Sequence, residues 1–512
     1  MKIHTKNLNY AIGRVTVSRT LYEQAHKQFP VLKERPDYEA FFWYLSLGAD
    51  FDKDTGKLLL CRNTIANLLG REPSNFEAGK FLEGFRNDVL GDKNFLWHHW
   101  YKKLCRKVAR LNLGEFDADL NAELQGHFDG CDRVYLDGTK FTIAKARRLK
   151  AAERGIANSR PDFGAEALFI QQYLNSLPRN LFFKNFKRNY RKTLEFVTEK
   201  FEGTERQREL RILRHVECQP QPFYGVTPKE NTVRLFSYAH IAQLRREVRK
   251  VFTQGWIEAD LRCAQLAICA RLWEVHSVLE FLYQNGNIWE YLYAHLRLPR
   301  EFQQAAKPAL KQAVYSVCYG MRQVRIRSLL ARNLVKNGVN REYAGGFLSI
   351  PFICDVLLAR EEALQRVIAD GGARTCYGKT LQIAGDVQAR DILAQLAQSW
   401  EMKLIYPAFA LTANHPCCKI MLYQFDGFSA QFTRRPTGWA CRIKEAVDAR
   451  AKEFGVPTWL EWDEKQLAEL EWAQLYEELK SVTEEVPCTL EDEGTYKYLE
   501  SYYKKINRVR YV

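Results

Sequence analysis

Apolar positions along the chain recur mostly at helical spacing, with a minority of short alternating runs, and the class they predict is α+β with helices dominant. Residues 1–140 read as mainly helical. They hold a hairpin candidate at 51–57 and a helix-turn-helix pattern at 63–85, with Ile65, Leu68 and Leu69 on a short helix, Gly70 as its C-cap and Ser74 as the next N-cap. DNA docking through the second helix and an ordinary helical hairpin both fit that pattern. Residues 141–230 turn basic. Residues 144–155 read as a strongly basic helix, and 179–192 interleave Phe182, Phe183, Phe186 and Tyr190 with Lys184, Lys187, Arg188, Arg191 and Lys192. Aromatics beside cations suit nucleic acid; the same spacing suits an amphipathic helix with a solvated face. A Pro-rich loop at 219–231 closes the region.

Beyond it, strands join the helices. Residues 256–259 read as a buried strand ending in Asp260, where an acid is costly unless it is paired or binds a metal. The stretch KPALKQAVYSVCYG puts Lys307, Lys311, Tyr315 and Tyr319 on one helix face at i, i+4, i+8 and i+12. Two cations and two rings suit a polyphosphate and a base, and a plain surface helix is the alternative. Pro308 fits such a helix only if Lys307 lies at or near the N-cap. Two apolar runs then flank Asp426-Gly427, a hairpin signal that holds a second carboxylate at a turn. Two acids on strands, with a basic-aromatic helix between them in sequence, fit two-metal phosphoryl transfer. Glu258 shares the strand face of Asp260 and is a rival or a helper acid.

In order and spacing, residues 230–464 or so resemble family A DNA polymerases. Motif A of that family, D-x-x-x-x-E-L, is matched from Asp260 to Leu266 with Gln265 in place of Glu. Motif B, R/K-x-x-x-K-x-x-x-F/Y-x-x-x-Y-G, is filled at every position by Lys307, Lys311, Tyr315, Tyr319 and Gly320. Motif C, usually H-D-E, is Phe425-Asp426-Gly427, which departs at both flanks. Thr232-Val233-Arg234 stands for T-G-R, residues 375–379 stand loosely for a T-x-x-G-R-R turn, and Arg390 and Gln398 keep the family's Arg–Gln spacing.

The resemblance implies a right-hand polymerase with an antiparallel palm sheet and helical fingers and thumb. Residues 1–140 would be an accessory domain, 141–230 a thumb-like region, 231–464 palm and fingers, and 465–512 an acidic helical extension. It also implies that Asp260 and Asp426 bridge two Mg²⁺ ions, Mn²⁺ being a substitute, with the backbone carbonyl of Leu261 as a further ligand. By the same resemblance Lys311 and Lys307 meet the incoming triphosphate, and Tyr315 stacks on base and sugar with ready acceptance of 3′-deoxy terminators. Tyr319 and Gly320 lie at the templating base and Gln265 near the sugar 2′-position. Arg234, Arg390 and Gln398 hold primer and template, and Lys184, Lys187, Arg188 and Arg191 grip the DNA backbone.

Composition changes the picture in three respects. A net charge of +15 over 512 residues favours a polyanionic partner, here primer–template DNA and dNTPs, although membrane surfaces and heparin-like chains would give the same number. No apolar run reaches the length of a membrane span and no secretory signal opens the chain, so no membrane partner is expected. The 13 cysteines, scattered without a C-x-x-C pair, suit reduced thiols in the cytoplasm of a bacterial or phage-infected cell; Cys417-Cys418 read as packing residues. Residues 116–119 are the nearest approach to a D-x-E exonuclease motif, so no proofreading activity is expected. The leading expectation is a DNA-directed DNA polymerase. Its rivals are an RNA polymerase, primase-like or translesion nucleotidyltransferase, favoured by Gln265 and the unmatched front, and a replication initiator that only binds DNA. A replication partner protein would meet the N-terminal domain or the acidic extension.

Overall fold

The computed structural model describes residues 15–48, 164–226, 240–384, 387–433 and 436–471 without a break, with shorter pieces between 59 and 138, at 233–237 and at 473–474. These residues form a helix-rich α+β arrangement in which every described sheet is small and antiparallel. The candidates at 51–57, 144–155 and beyond 474 lie outside the described residues.

The front of the chain is built on helices α1 (Arg19–Gln28), α2 (Pro36–Leu47), α3 (Ala78–Phe85) and α4 (Phe116–Gln125). After a first turn that carries Asp37 and Glu39, helix α2 is buried on every side, with Phe41, Phe42, Trp43 and Tyr44 in the core, which makes it the central rod of this region. Helix α3 lays Phe81 and Phe85 against Tyr38 and Phe41 of α2. Its N-cap is Glu77, and Ser74 sits instead in a 3-10 turn at Pro73–Asn75, so the expected cap is displaced by three residues. Asp117 and Asp119 lie in the first turn of α4, where acids complement the helix dipole, rather than on a strand.

Three helices follow: α5 (Ala165–Ser176), α6 (Arg179–Lys200) and α7 (Gly203–Cys218). Helix α6 turns Phe182, Tyr190, Leu194 and Val197 inward and leaves Lys184, Lys187, Arg188 and Arg191 exposed. Buried Asn185 and Asn189 on the same helix donate to the carbonyls of Phe252 (2.9 and 3.0 Å), and Asn189 also to that of Gln254 (3.0 Å). Helix α7 turns back to the front: Arg211 donates to the Leu45 carbonyl at 2.9 Å and His215 hydrogen-bonds the Leu47 carbonyl at 2.7 Å.

The rest is organised on one four-stranded sheet. Strands β1 (Trp256–Leu261), β2 (Cys418–Tyr423), β3 (Gly427–Phe432) and β4 (Leu460–Trp462) lie in the order β2-β3-β1-β4, all antiparallel. Around it pack α8 (Arg246–Phe252), α9 (Ala264–Leu272), α10 (His276–Asn285), α11 (Trp289–His295), α12 (Arg300–Cys318), α13 (Gln323–Lys336), α14 (Pro351–Ala369), α15 (Ala389–Thr412) and α16 (Thr437–Glu453). A core of apolar side chains runs without interruption from the front helices to β4. No single helix among the described residues is long and apolar enough to cross a membrane.

Two expectations need correction. Helix α12 begins at Arg300, so Pro308 falls inside it and Lys307 is nowhere near the N-cap. Pro308 and Gln304 are both exposed, so water can serve the Gln304 carbonyl that loses its helical partner. In the hairpin, the Gln424 N–H donates to the Gly427 carbonyl at 2.8 Å, which makes Phe425-Asp426 the two-residue loop rather than Asp426-Gly427. Phe425 takes φ +72°, a left-handed position inside this loop.

Candidate active site

Asp260 is the penultimate residue of β1, directly opposite Gly427 on β3. One residue before Gly427, Asp426 is tied to the end of β1 by the Leu261 N–H, which donates to its carbonyl at 2.9 Å. Asp260 on β1 and Asp426 in the loop leading into β3 are thereby fixed beside each other by backbone bonds, not by flexible side chains. Gly427 is required by proximity: a Cβ there would overlap the Asp260 carboxylate and come within 2.5 Å of the Ala259 carbonyl oxygen. Asp260 thus fills the space that a side chain at 427 would need. Left-handed residues flank the pair at Cys263 (φ +48°) and Phe425, and backbone strain of this kind collects at functional sites.

The electrostatics follow from this closeness. Burial and then the charge of Asp260 push the Asp426 carboxyl up to about 6, against the opposing pull of Lys311 and Arg234. Asp260 keeps a face open to solvent, yet the surrounding walls, and then Glu258, raise it as well, while Arg246, Lys311 and Arg249 lower it. Lys311 is the cation of α12 that acts on both carboxylates. Both carboxyls are pushed up by burial, and Asp426 also by Asp260 beside it, so the pair is short of positive charge, and hard oxygen donors in that state suit a divalent cation. Among the described residues no set of three or more His, Cys, Asp or Glu side chains is grouped for a metal, so the side chains that could hold one here are the two carboxylates.

Glu258 is already engaged. Buried on β1, it takes Arg246 at 3.3 Å and Arg249 at 3.4 Å, and its N–H donates to Gln466 at 2.8 Å. It is a partner of the α8 cations rather than an open ligand.

Helix α12 does present its rail. Lys311 lies exposed with its Nζ 5.4 Å from the Tyr315 ring, and Tyr315 and Tyr319 stand edge to face at 6.4 Å. Burial raises the phenol pKa of both rings, and acids nearby add to it: Asp426 for Tyr315, Glu401 for Tyr319. Lys307 lies over Trp289 of α11 at 5.6 Å. Gly320, at φ +76°, ends the helix as its left-handed C′ residue, and a Cβ there would meet the Cβ of Arg390 at 3.0 Å. The buried Arg360 of α14 caps this end by donating to the carbonyls of Val317 (2.9 Å) and Met321 (3.2 Å). Arg390 and Gln398 sit half-buried along α15, and Gln265 is buried on α9 with its side-chain oxygen unpartnered.

Arg234 is engaged inside the protein. Its guanidinium donates twice to the fully buried Glu401 of α15, Nε at 3.2 Å, and stacks over the Phe425 ring at 4.3 Å. Tyr319 reaches the same carboxylate at 3.5 Å, and burial raises Glu401 to about 7 despite Arg234. Arg234 thus joins α12, α15 and the hairpin loop that carries Asp426. Glu401, Trp289 and the α8 cations are the participants that sequence reading missed. A lone acid on the inner face of an apolar helix was the available sign of Glu401; nothing local marked the others.

Comparisons with known proteins give little. No protein-family model matches the sequence, and no curated protein matches it. Among solved structures, the polymerase domain of Pol1 from M. smegmatis, in complex with DNA primer-template and dNTP, aligns with a TM-score of 0.38 and 14% identity over 64% of this chain and 60% of that one. The match thus spans less than two thirds of that structure's length.

Proposed function

We propose that this chain is a template-directed nucleotidyltransferase that adds dNTPs to a primer 3′ end on DNA. The observation that carries the reading is the convergence of Asp260, near the end of β1, and Asp426, in the loop that leads into the neighbouring β3, with Lys311 of the basic-aromatic helix acting on both. The motif order described above supports the finer reading, a family A-like polymerase of right-hand architecture whose palm is the β2-β3-β1-β4 sheet.

Asp260, Asp426 and the Leu261 carbonyl would hold Mg²⁺, with Mn²⁺ as a substitute. When bound, the ions supply positive charge at the attacking and leaving oxygens of an in-line displacement. The chain's own groups do the rest. Lys311 and Lys307 neutralise the triphosphate and orient it along α12. Tyr315 and Tyr319 offer faces to base and sugar, and Gly320 keeps the helix end open toward the template. Arg234, anchored on Glu401, positions the Asp426 loop through Phe425, and the exposed cations of α6 take duplex phosphates.

The test is extension of a labelled primer on a DNA template with Mg²⁺, comparing dNTPs with rNTPs, and Asp426→Ala beside the wild type. Templated dNTP addition reduced by about 10³-fold or more in the variant is the expected result. Addition of rNTPs instead would move the reading to an RNA-making or primase-like enzyme. Tight DNA binding with no addition would leave a binding protein.

A further inference from the structure

Residues 302–341 carry eight lysines and arginines and not one Asp or Glu, where the chain's overall composition would supply about five acids. Lys307 and Lys311 belong to the site already described. The other six, Arg322, Arg325, Arg327, Arg332, Lys336 and Arg341, are all exposed. Among the described residues none of the six is paired with a carboxylate. Several cations elsewhere in this chain are paired: Arg246 and Arg249 with Glu258, Lys250 with Asp463, Arg245 with Glu205. A solvated helix face would be expected to mix its charges; this one does not.

Their placement is ordered. Helix α13 buries Ile326, Leu330 and Leu334 at i, i+4 and i+8. Arg325, Arg332 and Lys336, at i, i+7 and i+11, fall in one narrow strip on the far side, with Arg322 at the N-cap. The strip is roughly 16 Å long at a helical rise of about 1.5 Å per residue. Beside it Val324 and Val335 stand 79% and 57% exposed, apolar surface that suits the face of an unstacked base better than a second phosphate backbone. The N-cap follows Gly320 by two residues, so the strip starts where α12 ends.

We infer that α13 is a track for single-stranded nucleic acid, namely the template strand still unpaired ahead of the site, held through its phosphates without reading its sequence. This rests on the nucleotidyltransferase reading for the identity of the strand, but not for its chemistry.

The full chain, without nucleotides, is titrated onto fluorescent primer–templates with 5′ template overhangs of two and twelve nucleotides over a series of salt concentrations. The long overhang should bind more tightly and with a steeper salt dependence. In Arg325→Ala/Arg332→Ala/Lys336→Ala, binding of the long overhang should weaken about tenfold and the log–log salt slope should fall by about 2, from about 0.7 per phosphate contact on a single strand. The short overhang should be unaffected, and Arg325→Lys/Arg332→Lys should bind like wild type, because charge and not hydrogen-bond shape is at work. All three positions are exposed, so an unchanged melting temperature should accompany the loss. Equal binding of both overhangs by wild type, or equal weakening of both in the triple variant, overturns the track and leaves the site reading intact. Loss in the variant of binding to phosphatidylserine-containing vesicles, with no overhang effect, overturns it in favour of a membrane surface. An overhang effect that survives while primer extension fails supports the track and removes the site reading alone.

Discussion

Asp426 holds its proton more tightly in the folded chain than out of it, about 6 against 3.8, so between those values the folded state binds the extra proton. Stability therefore falls as pH rises through this window, and the full cost is present above about pH 6. Asp426→Asn removes it. In EDTA the variant should melt higher than wild type at pH 8, by on the order of 1–3 kcal/mol, with the gain shrinking as pH falls from 6 toward 4. An equal gain at every pH would detach the effect from this carboxyl. Gly427→Ala should do the reverse, forcing β1 and β3 apart at Asp260, with a loss of about 1–3 kcal/mol in denaturant unfolding. The acids themselves were readable in the sequence, since a charge at a strand end and a carboxylate in a turn are local patterns. That Arg234 spends its charge on Glu401 was not, because the pair is 167 residues apart and only the fold brings it together.

Elements tell the same division between local and distant causes. Helix α12 was legible from its rail, but its start was not: the propensity rules stop a helix at Pro308, while its inward face at Ala306, Leu310, Ala313 and Val317 carries the helix straight through. Pro308→Ala restores the missing N–H to an exposed turn and should stabilise the chain by about 1–3 kcal/mol in thermal unfolding. The hairpin was likewise legible as a hairpin and misplaced by one residue, since Gly427 is needed for closeness to Asp260 and leaves the left-handed position to Phe425. Between α15 and this loop, the buried Glu401–Arg234 pair should behave as a unit. Glu401→Leu alone leaves a buried guanidinium uncompensated and should cost about 3–5 kcal/mol, and adding Arg234→Met should recover most of it. Additive losses across that double-mutant cycle would deny the coupling.

Across the whole molecule, a helix-rich α+β class could be read from periodicity, whereas the bonds that join distant segments could not. Helix α6 is bonded through Asn185 and Asn189 to the turn that precedes β1, and α7 reaches back to Leu45 and Leu47, so the basic middle region is anchored on both sides. Those bonds run from side chains to backbone carbonyls, which leave no periodic trace in a sequence. Two bonds of the opposite sense, from backbone N–H groups to side-chain hydroxyls, bear on Asp426. The Tyr173 hydroxyl of α5 accepts the Ile420 N–H at 2.8 Å, where the β2–β3 register shifts, and the Tyr224 hydroxyl accepts the Tyr423 N–H at 2.9 Å, one residue before the turn. The smallest piece of chain that can be excised with its chemistry intact must therefore begin near residue 164, not at the apparent boundary of 231. Residues 164–474 made alone should melt in one cooperative step, their orphaned Arg211 and His215 meeting water, while 231–474 should not, having left behind the two phenols that hold the Asp426 turn in register.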